Sequence, residues 1–261
     1  MNDLLQAALL GLIEGITEFL PISSTGHLLI AEHWLGGRSE LFNVTIQAGA
    51  ILASVLVFWP RLISLLRDIR LPASRDYLGK LALAFAITVV GGLVAKKVGL
   101  ELPKTVAPVA AALIIGGALM LWIERLIAGR APSAQATWQV ASWVGFGQLV
   151  AAVFPGTSRS AASIFAAMLA GMSSRPSATE FSFLVGIPTM FAATGYEFLK
   201  LRGTGASAHE DWPALVVAFV VATVVAYIAV RWLLQYVQTH RFTAFAWYRI
   251  AAGLVLLAIA R

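Results

Sequence analysis

Apolar residues fall into long runs separated by short polar segments. The runs at 42–59, 78–95, 105–123, 181–199, 212–237 and 244–260 each predict a membrane-spanning helix, since a crossing takes roughly 20 apolar residues. Trp59-Pro60 marks the end of the first run, and Ser177 to Glu180 has capping-box spacing at the start of the fourth. Two regions differ. In 1–33 and 136–172, apolar arms shorter than a full span flank a polar turn. That pattern predicts re-entrant hairpins, irregular backbone that survives at membrane depth only inside protein or beside a watery cavity. In the first hairpin, Glu14 and Glu18 are four apart and share one helix face. Pro21 stops the helical pattern, and Ser23-Ser24-Thr25-Gly26 reads as the turn into the second arm.

The second hairpin is an altered copy of the first. GLIEGITEFLPISSTGH (11–27) returns as GFGQLVAAVFPGTSRSA (145–161). A constant spacing pairs Gly11 with Gly145, Glu14 with Gln148, Pro21 with Pro155, Ser23 with Thr157, Ser24 with Ser158 and Thr25 with Arg159. The chain therefore reads as a duplication, 1–130 and 131–261, each half one hairpin followed by three spans. The fold class expected is an all-α polytopic membrane protein in one integral domain. An odd number of crossings per half inserts the copies in opposite senses, the inverted-topology repeat seen in transporters. One half supplies acid and the other supplies base.

Composition sharpens this picture. The chain is 59% hydrophobic and 12% charged, with a mean hydropathy of +0.81, against about 25% charged in ordinary soluble domains. Absence of cysteine excludes disulfides, thiolate chemistry and cysteine-type zinc sites. A net charge of +6 does not indicate nucleic acid, because Lys and Arg are scattered over short loops without a basic stripe. Membrane lipids with anionic headgroups account for the excess. Segment 61–80 holds Arg61, Arg67, Arg70, Arg75 and Lys80 and reads as cytoplasmic, with 125–135, 173–180 and 238–243 on the same side and both termini outside. Lys96, Lys97 and Lys104 weaken that contrast. The N-terminus lacks a basic n-region and a small-residue cleavage site, so no cleavable leader is expected. His33, His209 and His240 read as interfacial, Arg231 as snorkelling, and Arg249 as snorkelling or paired with a carboxylate. Small-residue pairs such as Gly49-Ala50, Gly91-Gly92 and Gly116-Gly117 read as close helix contacts.

Charge inside a membrane costs about 2.5–3.5 kcal/mol per residue at a helix centre, so Glu14, Glu18 and Arg159 need a return. Two carboxylates on one face hold a cation or share a proton, and hard divalent ions such as Mg²⁺ or Ca²⁺ suit oxygen ligands. Glu14 and Glu18 are the metal-ligand candidates. In PGTSRS (155–160) a tight turn at Gly156 feeds a helix whose N–H groups can face an anion. Thr157, Ser158 and Ser160 add hydroxyls there, Arg159 adds a fork that fits phosphate oxygens, and Thr25 offers a further donor on the first turn. Ser24 is the preferred nucleophile, activated by Glu18 or His27. In the rival scheme His27 itself is phosphorylated.

These residues together resemble the undecaprenyl-diphosphate phosphatase family of the bacitracin-resistance type. EGITEFLPISSTGH (14–27) and PGTSRS (155–160) are similar to its two signatures, and FSFLVGIP (181–188) and FAWYR (245–249) to further family stretches. The resemblance covers essentially the whole chain. It implies a multi-pass enzyme of the bacterial plasma membrane that takes one phosphate from undecaprenyl diphosphate, recycling the lipid carrier of cell-wall synthesis. It implies dependence on a divalent cation and a site opening to the outer face where the two tips meet. Carried over, Glu14, Glu18, Ser24, His27, Ser158 and Arg159 match functional positions. The chain departs from the pattern at Ala161-Ala162-Ser163, where the family usually has Gly-Ala-Thr, and at Asn43, often acidic there. The alternative is a transporter or flippase for a lipid phosphate or other anion, built on the same repeat. Whether the protein forms a homodimer stays open.

Overall fold

The computed structural model describes residues 2–100, 105–202 and 210–259. Lys104, His209 and Ala260, placed above in loops and at a span end, lie outside them. The described residues form ten helices: α1 (Asp3–Thr17), α2 (Ser24–Leu35), α3 (Glu40–Arg67), α4 (Pro72–Lys97), α5 (Val106–Leu126), α6 (Trp138–Val153), α7 (Arg159–Leu169), α8 (Arg175–Arg202), α9 (Trp212–Thr239) and α10 (Thr243–Ile259). α3, α4, α5 and α9 are long and apolar enough to cross a membrane. Six such helices were expected. α8 is long enough, but carries Arg175 and Glu180 near one end and Glu197 and Lys200 near the other, and α10 has 17 described residues. The chain is a multi-pass membrane protein with large apolar side chains such as Leu56, Val90, Ile115 and Val224 on its outer surface.

Two element boundaries differ from the expectation. α3 does not stop at Trp59-Pro60 but runs on to Arg67, because a proline inside a helix removes one N–H without breaking the turns on either side when packing holds them. α8 begins at Arg175 rather than near Ser177. Pro176 sits in its first turn, where the missing N–H has no acceptor to lose. Glu180 is then free of a capping role and pairs with Arg61 at 3.1 Å.

Several helix contacts are made through small residues, as expected for helices with no hydrophobic force between them in lipid, whereas a Cβ at Gly92 would meet nothing within 4 Å. α1 and α3 both pack on α9, α10 packs on α5, and α6 lies against α4 and α7. A Cβ at Gly11 of α1 would sit 2.5 Å from the Ala218 carbonyl of α9, and one at Gly145 of α6 would sit 2.8 Å from the Ala84 carbonyl of α4. Toward the far ends of α5 and α8 from the site, Arg175 forks onto Glu124 at 2.9 and 2.5 Å, and Glu124 also accepts the Phe242 N–H at 3.0 Å. Such a bidentate pair with every carboxylate oxygen engaged is a stable way to bury charge.

Candidate active site

Each hairpin turns in the same unusual way. Ser23 precedes α2 with φ 73° and Ser158 precedes α7 with φ 69°, the two non-glycine residues with positive φ among those described. Backbone in this region costs about 1–3 kcal/mol per residue and persists only where surrounding structure imposes it. The shared geometry also corrects the pairing at constant spacing. By backbone, Ser158 corresponds to Ser23 and Arg159 to Ser24, because α6 runs further past Gly145 than α1 runs past Gly11. The first residue of each second arm is thus a serine in one half and an arginine in the other.

Both of those residues reach one carboxylate. The Ser24 hydroxyl donates to Glu18 Oε2 at 2.5 Å, and Arg159 lies 3.6 Å from Glu18 Oε1. Ser160 donates to the Leu20 carbonyl at 3.0 Å, a second link between the tips. The two bends therefore meet. They form the wall of a cavity of about 490 Å³ to which Glu18, Ser24, Thr25, Gly156, Ser158 and Arg159 all contribute. α2 and α7 both begin at this wall, so two helix N-termini favour an anion there.

The other candidate residues lie around the cavity rather than on it. Glu14 is one turn behind Glu18, fully buried, and neither of its carboxylate oxygens has a hydrogen-bond partner. Ser160 is buried, its hydroxyl shared between Leu20 and Ser158. Thr157 lines a separate apolar groove between α5, α6 and α7. His27 sits on the far side of the first turn. Its Nδ1 lies 2.7 Å from the Ser23 carbonyl and its Nε2 2.6 Å from the Tyr248 hydroxyl. The two rings stack at 5.5 Å.

Arg249 braces the site from behind. Its guanidinium is fully buried and donates to the carbonyls of Thr157 (2.8 Å), Ala112 (3.1 Å), Gly156 (3.2 Å), Pro21 (3.3 Å) and Leu113 (3.5 Å). Neither snorkelling nor a carboxylate partner describes it. Three of those carbonyls belong to the two turns, so one side chain holds both in place. Gly116 leaves room for it, since a Cβ there would lie 2.2 Å from the guanidinium. Gly156 needs its φ of +92° and its lack of a side chain, with the Val109 carbonyl 2.7 Å from where a Cβ would be.

Sequence reasoning missed part of the lining. Gln47 and Thr88 contribute to the wall, and Lys96, Tyr196 and Glu197 lie at the ends of α4 and α8 on the same cavity. Lys96 pairs with Glu197 at 3.6 Å and lies over the Tyr196 ring. Polar residues isolated inside apolar runs, as in VTIQAGA and AITVV, were the signal available for Gln47 and Thr88. Among the described residues no cluster of three acidic, histidine or cysteine side chains stands ready for a metal. Glu14 and Glu18 are carboxylates one helix turn apart at the end of α1. Two carboxylates suffice for a hard divalent ion whose remaining positions are taken by water and substrate phosphate, and the unpartnered Glu14 carboxylate fits that use.

Residues 7–255 match the family model of Bacitracin resistance protein BacA. The chain is 60% identical over 258 residues to an undecaprenyl-diphosphatase of Rhizobium etli (strain CIAT 652), covering 99% of this chain and 97% of that one. It is 61% identical over 259 residues to one of Rhizobium leguminosarum bv. trifolii (strain WSM2304), covering 99% and 97%. It is 55% identical over 258 residues to one of Xanthomonas euvesicatoria pv. vesicatoria (strain 85-10), covering 98% and 97%.

Proposed function

Because the chain belongs to the bacitracin resistance protein BacA family, we propose that it hydrolyses undecaprenyl diphosphate to undecaprenyl phosphate and inorganic phosphate. The observation that carries this reading is the Glu18 carboxylate, which accepts from Ser24 on one oxygen and faces Arg159 with the other in a single cavity. A nucleophile, its base and a phosphate-binding cation from opposite halves of the chain then surround one headgroup.

Ser24 Oγ attacks the terminal phosphorus while Glu18 takes the hydroxyl proton. The bond from that phosphorus to the bridging oxygen breaks, and undecaprenyl phosphate leaves with the electron pair. Glu18 passes that proton to the departing phosphate oxygen. As base again, it takes one from the water that attacks the phosphoserine; that proton goes to Ser24 Oγ as its bond to phosphorus breaks and inorganic phosphate leaves. Arg159 and the N–H groups opening α7 balance charge on the equatorial oxygens, the dominant form of catalysis in phosphoryl transfer. Glu14 and Glu18 would hold a divalent cation, Mg²⁺ or Ca²⁺, which neutralises diphosphate charge when bound. His27, which does not line the cavity, acts by holding the first turn, with Nδ1 on the Ser23 carbonyl and Nε2 on the Tyr248 hydroxyl.

The duplication is supported by packing as well as sequence. The contact of Gly11 with Ala218 and that of Gly145 with Ala84 are images of each other under the spacing that relates the two hairpins. Each half lends its hairpin to a span of the other. An inverted repeat has this consequence, and it brings the acidic and basic tips to one place. The cavity runs toward Lys96 and Glu197, at the opposite end of α4 from the arginine-rich segment 61–80. With that segment cytoplasmic by the positive-inside rule, the cavity opens outward.

The test is phosphate release from undecaprenyl diphosphate by the purified protein in detergent, where vectorial transport has no meaning. Folded Glu18→Ala and Arg159→Ala variants are expected to lose release. Release at the wild-type rate by either one would overturn the enzymatic reading and leave a carrier of anionic lipids.

A further inference from the structure

Gln148 is the counterpart of Glu14 in the second hairpin, and the chemistry above gives it no work. It is 2% exposed, yet neither its Nε2 nor its Oε1 has a hydrogen-bond partner. It belongs to the wall of the same cavity as Glu18, Ser24, Ser158 and Arg159. A primary amide offers two donors and a two-lone-pair acceptor, and leaving all of them unmet inside a protein weakens the fold. A leucine or methionine would fill the space on α6 without that penalty. Isolated buried polar atoms on a cavity wall have a use when a ligand supplies their partners.

We propose that Gln148 is a substrate-contacting residue, its Nε2 donating to a non-bridging oxygen of the lipid diphosphate. The inference rests on the phosphatase reading above and names a residue of that same site. The two halves then divide the work by charge. The first arm carries a carboxylate at this place, suited to a cation. The second carries a neutral donor, which adds a hydrogen bond to the anion and leaves the charge of Arg159 uncancelled. A carboxylate at 148 would instead repel the phosphate oxygens and compete for Arg159.

The experiment uses the full chain in detergent, with three readouts on wild type, Gln148→Met and Gln148→Glu. Gln148→Met is expected to raise KM for undecaprenyl diphosphate about tenfold with kcat within about twofold, and Gln148→Glu to lower kcat/KM further. The melting temperature of Gln148→Met is expected to equal or exceed that of the wild type, because an unmet amide has been removed. The concentration of inorganic pyrophosphate giving a half-maximal rise in melting temperature is expected to grow about tenfold in Gln148→Met. A KM and a pyrophosphate response unchanged in Gln148→Met would overturn the proposal. So would a melting temperature several degrees below wild type, the mark of an amide that braces helices. If the wild type released no phosphate, the enzymatic reading would fall while the pyrophosphate response still decided Gln148.

Discussion

Arg159 reaches Glu18 from the opposite hairpin at 3.6 Å, on the carboxylate oxygen that Ser24 leaves open. The arginine is 31% exposed and the carboxylate 7%, so the cation faces the cavity while its partner stays fixed. An incoming phosphate can draw the guanidinium toward itself without disturbing the bond between Ser24 and Glu18.

The Ser24 hydroxyl bonds Glu18 directly, and the proposed mechanism makes the two act as one unit. Ser24→Ala and Glu18→Gln are each expected to lower kcat by about 10²–10⁴, and the double variant to fall no further than the worse single one. Phosphate-release assays on all four proteins measure this. Losses that multiply would separate the two residues.

The phosphorylated side chain is expected at Ser24. Rapid quenching with ³²P-labelled substrate followed by peptide sequencing reads the position directly. On the proposed mechanism His27→Gln is expected to retain turnover within about tenfold, since the contacts His27 makes are with the Ser23 carbonyl and Tyr248. A label on His27 would reverse the assignment.

Glu14 is fully buried with no hydrogen-bond partner on either carboxylate oxygen, a cost that the proposed cation would offset. Glu14→Gln is expected to blunt the rise in melting temperature that added Mg²⁺ or Ca²⁺ gives the wild type over chelator. It is also expected to raise the Mg²⁺ or Ca²⁺ concentration needed for half-maximal activity by about tenfold or more. Metal titrations against phosphate release, with melting curves in parallel, supply both readings.

Arg249 is held by backbone alone, and its loss leaves carbonyls of both turns unpaired. Arg249→Met is expected to destabilise the fold by about 3 kcal/mol or more, from several charge-assisted bonds at roughly 1.5–3 kcal/mol each. Lysine is a poor replacement, because a compact ammonium cannot span acceptors on both turns. Denaturation in mild detergent measures the loss, and activity per folded molecule in Arg249→Lys tests whether the turns have moved.

Much of the site was legible along the chain. Polar residues cannot drift into apolar segments without cost, so Glu14, Glu18, Ser24 and the 155–160 turn stood out by their surroundings, and repetition of the motif showed that two such turns exist. Hydropathy in the same way gave the helices of the membrane domain. Distance between the turns was not legible, because nothing in a linear pattern says which half packs on which. That depended on glycine-lined contacts between α1 and α9 and between α6 and α4, where backbones approach closely enough to cross the halves over. The same holds for His27 and Arg249. Chemistry alone left the histidine as a base or a phosphorylated group and the arginine as a snorkelling cation or a carboxylate's partner, whereas the fold set Tyr248 beside one and five carbonyls around the other. Residue type limits what a side chain can do; only the neighbours brought by the fold choose among those uses, since hydrogen bonds and ion pairs act over a few ångströms and sequence separation has no bearing on them.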